Sequence, residues 1–171
     1  MAAFQRLEWN HPDVHGIVQG RGILCVEAQA VFDCEAWLRS HDYQIVEIDF
    51  SHGISAAVST LGSLLRWEEQ FGYTLAANSR NLDALRDGYD AVMLGGKNVV
   101  LRLNGLVFAW AEDEMWCKGL LSIVSEHSLQ QLACGVRHFA IVVVDAESPL
   151  IGQGIDEITI SFPFRLRSNS S

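Results

Sequence analysis

The chain has 171 residues, 49% of them apolar and 19% charged, with a formal net charge of −9 and a pI of about 5.0. This composition describes a folded domain large enough to bury its own core, and it excludes a disordered chain. The acidic balance argues against nucleic-acid binding, which needs clustered Lys and Arg on phosphates, and it suits solubility or a basic partner.

No apolar run approaches the roughly 18–20 residues of a membrane span. The segment Met1 to Trp9 lacks the charged head and apolar stretch of a signal peptide, so a cytoplasmic location is expected. Cys25, Cys34, Cys117 and Cys134 are far apart and in apolar surroundings, which predicts reduced, mostly buried thiols.

Up to about Gly20 no periodicity is sustained, and the segment reads as a lead-in. Gly22 to Ala28 is read as a short strand, followed by a helix capped by Asp33 and ending near His41. Tyr43 to Phe50 alternates polar and β-branched residues, the pattern of a strand. After the turn at Ser51-His52-Gly53, the spacing of Ile54, Ala57, Val58, Leu61 and Leu65 predicts a core helix that passes Trp67 and gives out near Phe71. Gly72 to Arg80 is read as a loop.

Asn81 to Asp90 reads as an amphipathic helix that stops at Gly95-Gly96. Leu82, Leu85 and Tyr89 share one face, Asp83, Asp87 and Asp90 form an outward stripe, and Asn81 is suited to the N-cap. Like charges one turn apart cost a helix about 0.2–0.5 kcal/mol per pair. Either a cationic partner or ordinary solubility accounts for the stripe.

Asn98 to Leu103 is a second strand, and Asn104-Gly105 a turn. Two helical pieces follow, Leu106 to Glu114 and Met115 to Cys134, with Trp110 and Trp116 expected to pack in the core. Phe139 to Val144 has no polar break and predicts a strand buried on both faces. Ser148-Pro149 marks a boundary, and Ile155 to Phe162 is read as one more strand before a frayed tail. Strands separated by helical crossovers predict an α/β fold with a small parallel sheet covered by helices.

From residue 43 to 145 the chain resembles the barstar family of ribonuclease inhibitors. The resemblance rests on Asn81-Leu82-Asp83-Ala84-Leu85 with Asp87, on the strand ending Glu47-Ile48-Asp49, and on the order of elements. It implies a three-stranded parallel sheet packed by helices, in a protein that is not an enzyme and uses no cofactor. It also implies that the acidic helix and the loop before it enter the cationic active site of a bacterial ribonuclease. Asp83 and Asp87 would face the nuclease, Tyr73 would be the contacting aromatic, and Asn81 would shape the loop–helix junction; Asp90 joins them on periodicity alone. Residues 1–42 and 146–171 are then extensions of the domain, each with a further strand. The loop departs from the family's Phe-Pro-x-Tyr-x-Gly, reading Phe71-Gly72-Tyr73-Thr74-Leu75 here, and Arg80 and Arg86 stand beside the acids.

Two other readings stay open: a different toxin class or regulatory partner on the same scaffold, and an enzyme with a site beside the N-terminal extension. His11 and His15 have a spacing that suits metal only on a helix, which Pro12 and Gly16 oppose. His127 and His138 are read as capping or solvated side chains.

Overall fold

The computed structural model describes residues 18–76, 81–89, 98–155 and, for the backbone, 158–159. Four strands, β1 (Ile23–Glu27), β2 (Gln44–Asp49), β3 (Asn98–Asn104) and β4 (Arg137–Val144), form one parallel sheet in the order β1-β4-β3-β2. The α/β architecture agrees with the expectation, but the sheet exceeds three strands. β1, from the segment before residue 43, pairs along the outer edge of β4 with Cys25 opposite Val142.

This order explains how the sheet is covered. Helix α1 (Val31–Ser40) joins β1 to β2 across the whole sheet, whereas the later connections step back from β2 to β3 to β4. Crossovers of one hand that run in opposite directions must lie on opposite faces. One face packs Leu24, Val26, Val100, Phe139 and Ile141 against Cys34 and Leu38 of α1. The other packs Cys25, Ile48, Leu101, Leu103 and Val142 against the remaining helices, with Leu150 and Ile155 in the same cluster. The segments on either side of residues 43–145 therefore share this core. β4 is buried on both faces, as its unbroken apolar run predicts.

Asp33 sits inside the first turn of α1, and the N-cap position belongs to Ala30, whose side chain cannot cap. The single helix expected from Ile54 to Phe71 is two, α2 (Ile54–Leu64) and α3 (Trp67–Phe71), separated at Arg66 by a left-handed backbone (φ 53°). Leu65 and Trp67 would stand about 200° apart on a continuous helix. The break lets both enter the core, where each is essentially inaccessible. Gly53 offers α2 no side-chain cap, and Glu112 supplies one from 58 residues away by accepting the Ile54 N–H at 3.0 Å.

Helix α4 (Leu82–Gly88) carries the acidic stripe, α5 (Leu106–Glu112) follows β3, and α6 (Glu114–Ala133) runs back to β4. Asp113 separates the last two in an extended conformation and caps α6 by accepting the Trp116 N–H at 3.0 Å. Trp116 is buried, and Trp110 packs half-buried on the core with the Lys118 ammonium 5.7 Å from its ring centre. Beyond β4, β5 (Gly154–Ile155) and β6 (Ile158–Thr159) form an antiparallel pair. Of the longer strand expected from Ile155 to Phe162, residues 156–157 and 160–162 lie outside the described residues, as do the lead-in 1–17 and its His11 and His15.

Candidate functional site

Helix α4 is short, so its position depends on tertiary contacts rather than on its own hydrogen bonds. Leu85 is buried and Leu82 half-buried, which bears out the apolar face read from their spacing; Tyr89 is buried too, but from just past the end of the helix. Two glycines let the helix approach its neighbours. A Cβ on Gly88 would stand 2.6 Å from Trp67 Cζ3 and 2.7 Å from Phe71 Cε2. A Cβ on Gly119 of α6 would stand 2.5 Å from Leu82 Cδ1.

Two histidines fasten the C-terminal end of the same helix. His127 of α6 donates from Nε2 to the Arg86 carbonyl at 3.0 Å, satisfying one of the last-turn carbonyls that a helix leaves open. His138 is fully buried in β4, 2.6 Å from the Tyr89 hydroxyl through Nε2 and 3.3 Å from the Val99 carbonyl through Nδ1. The capping role expected for these histidines fits His127; His138 is a core residue.

The helix ends sooner than its sequence suggests. Tyr89 is already extended (φ −76°, ψ 120°), with its hydroxyl on His138. Gly95-Gly96, the expected stop, lies outside the described residues, and so does Asp90. Asn81 holds the N-cap position with helical dihedrals (φ −93°, ψ 0°) and makes no side-chain cap. Its carboxamide Nδ2 instead donates to the Ala76 carbonyl at 3.1 Å and ties the helix start to the loop before it.

With its inner side fixed, the helix presents its acids outward. Asp87 is exposed, and the Asp83 side chain is 93% exposed. Between them Arg86 reaches Asp83 at 3.7 Å and Glu126 of α6 at 3.1 Å. Glu126 thereby joins the acidic surface from a helix 40 residues downstream of Arg86, in a position that no local pattern in the sequence signals.

Tyr73 reaches this surface through aromatic packing. The Trp67 and Phe71 ring centres are 4.4 Å apart, and Tyr73 stands 6.1 Å from Trp67 and 6.2 Å from Phe71. Trp67 and Phe71 are the rings that Gly88 touches, so the loop aromatic and the end of the acidic helix share one support. Phe71 is 41% and Tyr73 46% exposed, an apolar margin beside the carboxylates. Phe71 had no role in the sequence reading; its place follows from the helix break at Arg66.

Of two cavities, of about 380 and 520 Å³, the first is lined in part by Trp67 and by Thr74 and Leu75 of the loop, and neither has Asp83, Asp87, Phe71 or Tyr73 among its described lining residues. Among the described residues no group of three or more His, Cys, Asp or Glu side chains could hold a metal ion, and no helix is long and apolar enough to cross a membrane. No family model, curated protein or solved structure matches the chain.

Proposed function

We propose that this chain is a non-catalytic inhibitor or immunity protein of the barstar type, held in the cytoplasm and directed at a cationic toxin, in the first instance a bacterial ribonuclease. The observation that carries the reading is the close packing of the acidic helix, through Gly88, on Trp67 and Phe71, the rings that also hold Tyr73, with Asp83, Asp87, Phe71 and Tyr73 all exposed. A nuclease site must hold phosphates, so it is cationic. Carboxylates on a fixed helix can occupy the phosphate positions and offer no bond to cleave. Opposite charges also accelerate encounter and set orientation. Packing of a central aromatic against the partner, with water excluded from the adjoining charge pairs, is the arrangement in which few residues dominate an interface.

The same geometry favours binding over catalysis at this helix. Asp83 and Asp87 face solvent, and neither is among the described lining residues of the two cavities.

The test is inhibition of a panel of small basic bacterial ribonucleases by the purified protein, its Asp87→Ala variant and its Tyr73→Ala variant. Stoichiometric inhibition of at least one nuclease is expected, weakened at least about 30-fold by Asp87→Ala, which is the scale of a 2 kcal/mol hot spot. The urea midpoint of Asp87→Ala should match wild type. Failure to inhibit any of the panel, or equal inhibition by wild type and Asp87→Ala, would overturn the reading.

A further inference from the structure

A second surface lies at the other end of the sheet from His138 and Tyr89, where the strands finish. There the chain leaves β1 toward one face of the sheet and leaves β3 toward the other, and a crevice of about 520 Å³ opens between the two exits. Crevices outside the carboxyl ends of parallel strands, where successive connections diverge, are the usual binding places of such sheets. Val107, Phe108, Val143 and Pro149 give this one an apolar floor, and Asp145 and Glu147 an acidic rim. Phe108 is 61% exposed, an unusual position for a phenylalanine. No Lys or Arg stands among the described lining residues, so the crevice suits a cationic, apolar occupant and not a phosphate.

The chain carries a segment of that chemistry. From Ile158 onward Ile160, Phe162, Phe164 and Leu166 alternate with Ser161, Pro163, Arg165 and Arg167. An extended chain places alternate side chains on opposite sides, so one side is apolar and the other ends in two arginines. Residues 160–171 contain no acidic side chain.

The β5–β6 pair ends beside the crevice. Gly154 is opposite Thr159 in antiparallel register, which sets the end of β6 next to the residue that follows Gln153. Gln153 is bonded to the crevice wall through its side-chain Nε2, which donates to the Pro149 carbonyl at 3.0 Å. Eight extended residues reach roughly 26 Å, ample for a crevice that begins beside their starting point.

We propose that the crevice is the docking site of the chain's own C-terminal segment, with Phe162 and Phe164 on Phe108 and Val107, and Arg165 and Arg167 at Asp145 and Glu147. This interface is independent of the inhibitory reading and involves none of its residues.

A zero-length cross-link tests it in the full chain. Arg165→Lys adds an amine at the proposed contact, and carbodiimide treatment joins an amine to a carboxylate it touches. The Lys118–Glu114 pair, 2.6 Å apart, serves as an internal control that the reaction has worked. The expected product links residue 165 to Asp145 or Glu147 within one molecule, and Phe162→Ser with Phe164→Ser in the same background lowers its yield several-fold. A mixture of ¹⁴N- and ¹⁵N-labelled protein reveals the source. Mixed-isotope links would make the occupant a second copy and overturn the proposal. So would links scattered over other acids, or no link at residue 165 while Lys118–Glu114 forms.

Discussion

The Tyr89 hydroxyl meets Nε2 of His138 at 2.6 Å, wholly inside the protein, and joins the end of the acidic helix to the start of the central strand. The Val99 carbonyl at Nδ1 can only accept, so Nδ1 carries hydrogen and Nε2 receives the hydrogen of Tyr89. Tyr89→Phe keeps the ring and removes the hydroxyl that meets the buried imidazole. A loss of about 1–3 kcal/mol is expected in urea unfolding. An unchanged midpoint would show that the bond contributes nothing net.

Gly88→Ala and Gly119→Ala each add one methyl at a close contact, against the rings of Trp67 and Phe71 in the first case and the terminal methyls of half-buried Leu82 in the second. Alanine suits a helix better than glycine by up to about 1 kcal/mol, so local propensity predicts stabilisation. Overpacking costs about 1–3 kcal/mol and should win. Denaturant unfolding decides: a higher midpoint in either variant would mean that α4 shifts away without cost.

On the α1 face, Arg102 lies between two acids, bonded to Glu35 of α1 and at 2.6 Å to Glu47 of β2, while Glu35 also meets Arg39 at 3.1 Å. Burial alone would raise the Glu35 carboxyl; the hydrogen bonds and charges of Arg102 and Arg39 outweigh it and hold the group below its ordinary 4.5. A carboxyl held lower in the folded chain than in the unfolded one gives stability that is complete above the ordinary value. That stability disappears as the pH falls through the folded value. Glu35→Gln should therefore be less stable than wild type near neutrality, with the gap narrowing as the pH drops past 4.5. Thermal midpoints across a pH series measure this, and a gap that widens in acid would contradict it. Arg102→Met, which leaves two facing carboxylates, should cost about 2 kcal/mol at neutral pH, less than the roughly 3–5 kcal/mol of a fully buried pair.

All four cysteines are free, and Cys134 alone is exposed. Burial pushes the thiols of Cys25 and Cys117 up to about 12 and that of Cys34 to about 11, with nearby acids adding to the last two. The thiolate is the reactive form. At pH 8 a thiol reagent should label one site per folded chain, Cys134, and all four after denaturation. Rapid labelling of more than one site in the native protein would mean that the core opens locally.

Much of the fold was legible because hydrophobic periodicity is local. Asn98 to Leu103 is a short apolar, β-branched run closed by Asn104-Gly105, and Phe139 to Val144 has no polar interruption; each pattern led to the strand observed. The apolar face of α4 was legible for the same reason, and the outward direction of Asp83 and Asp87 followed as its complement. Asp87, Tyr73 and Phe71 come together for another reason, the left-handed turn at Arg66, which no Gly or Pro marks. Glu126 and His127 were hidden because nothing in a 20-residue helix states which side meets a helix far earlier in the chain.

The sequence by itself determined the class of structure, a parallel α/β domain around an apolar central strand, and the existence of a short helix with acids on its outer side. Side-chain spacing along one element sets which of its faces seeks the core, and that information lies within a few residues. Tertiary structure alone decided that β1 extends the sheet beyond β4, that the acidic helix ends at Gly88, and that a buried His–Tyr pair holds it there. Those choices depend on which distant groups can be close-packed and hydrogen-bonded at once. The physical reason is that a buried polar atom must find a partner wherever the chain can supply one, and for His138 that partner is 49 residues away.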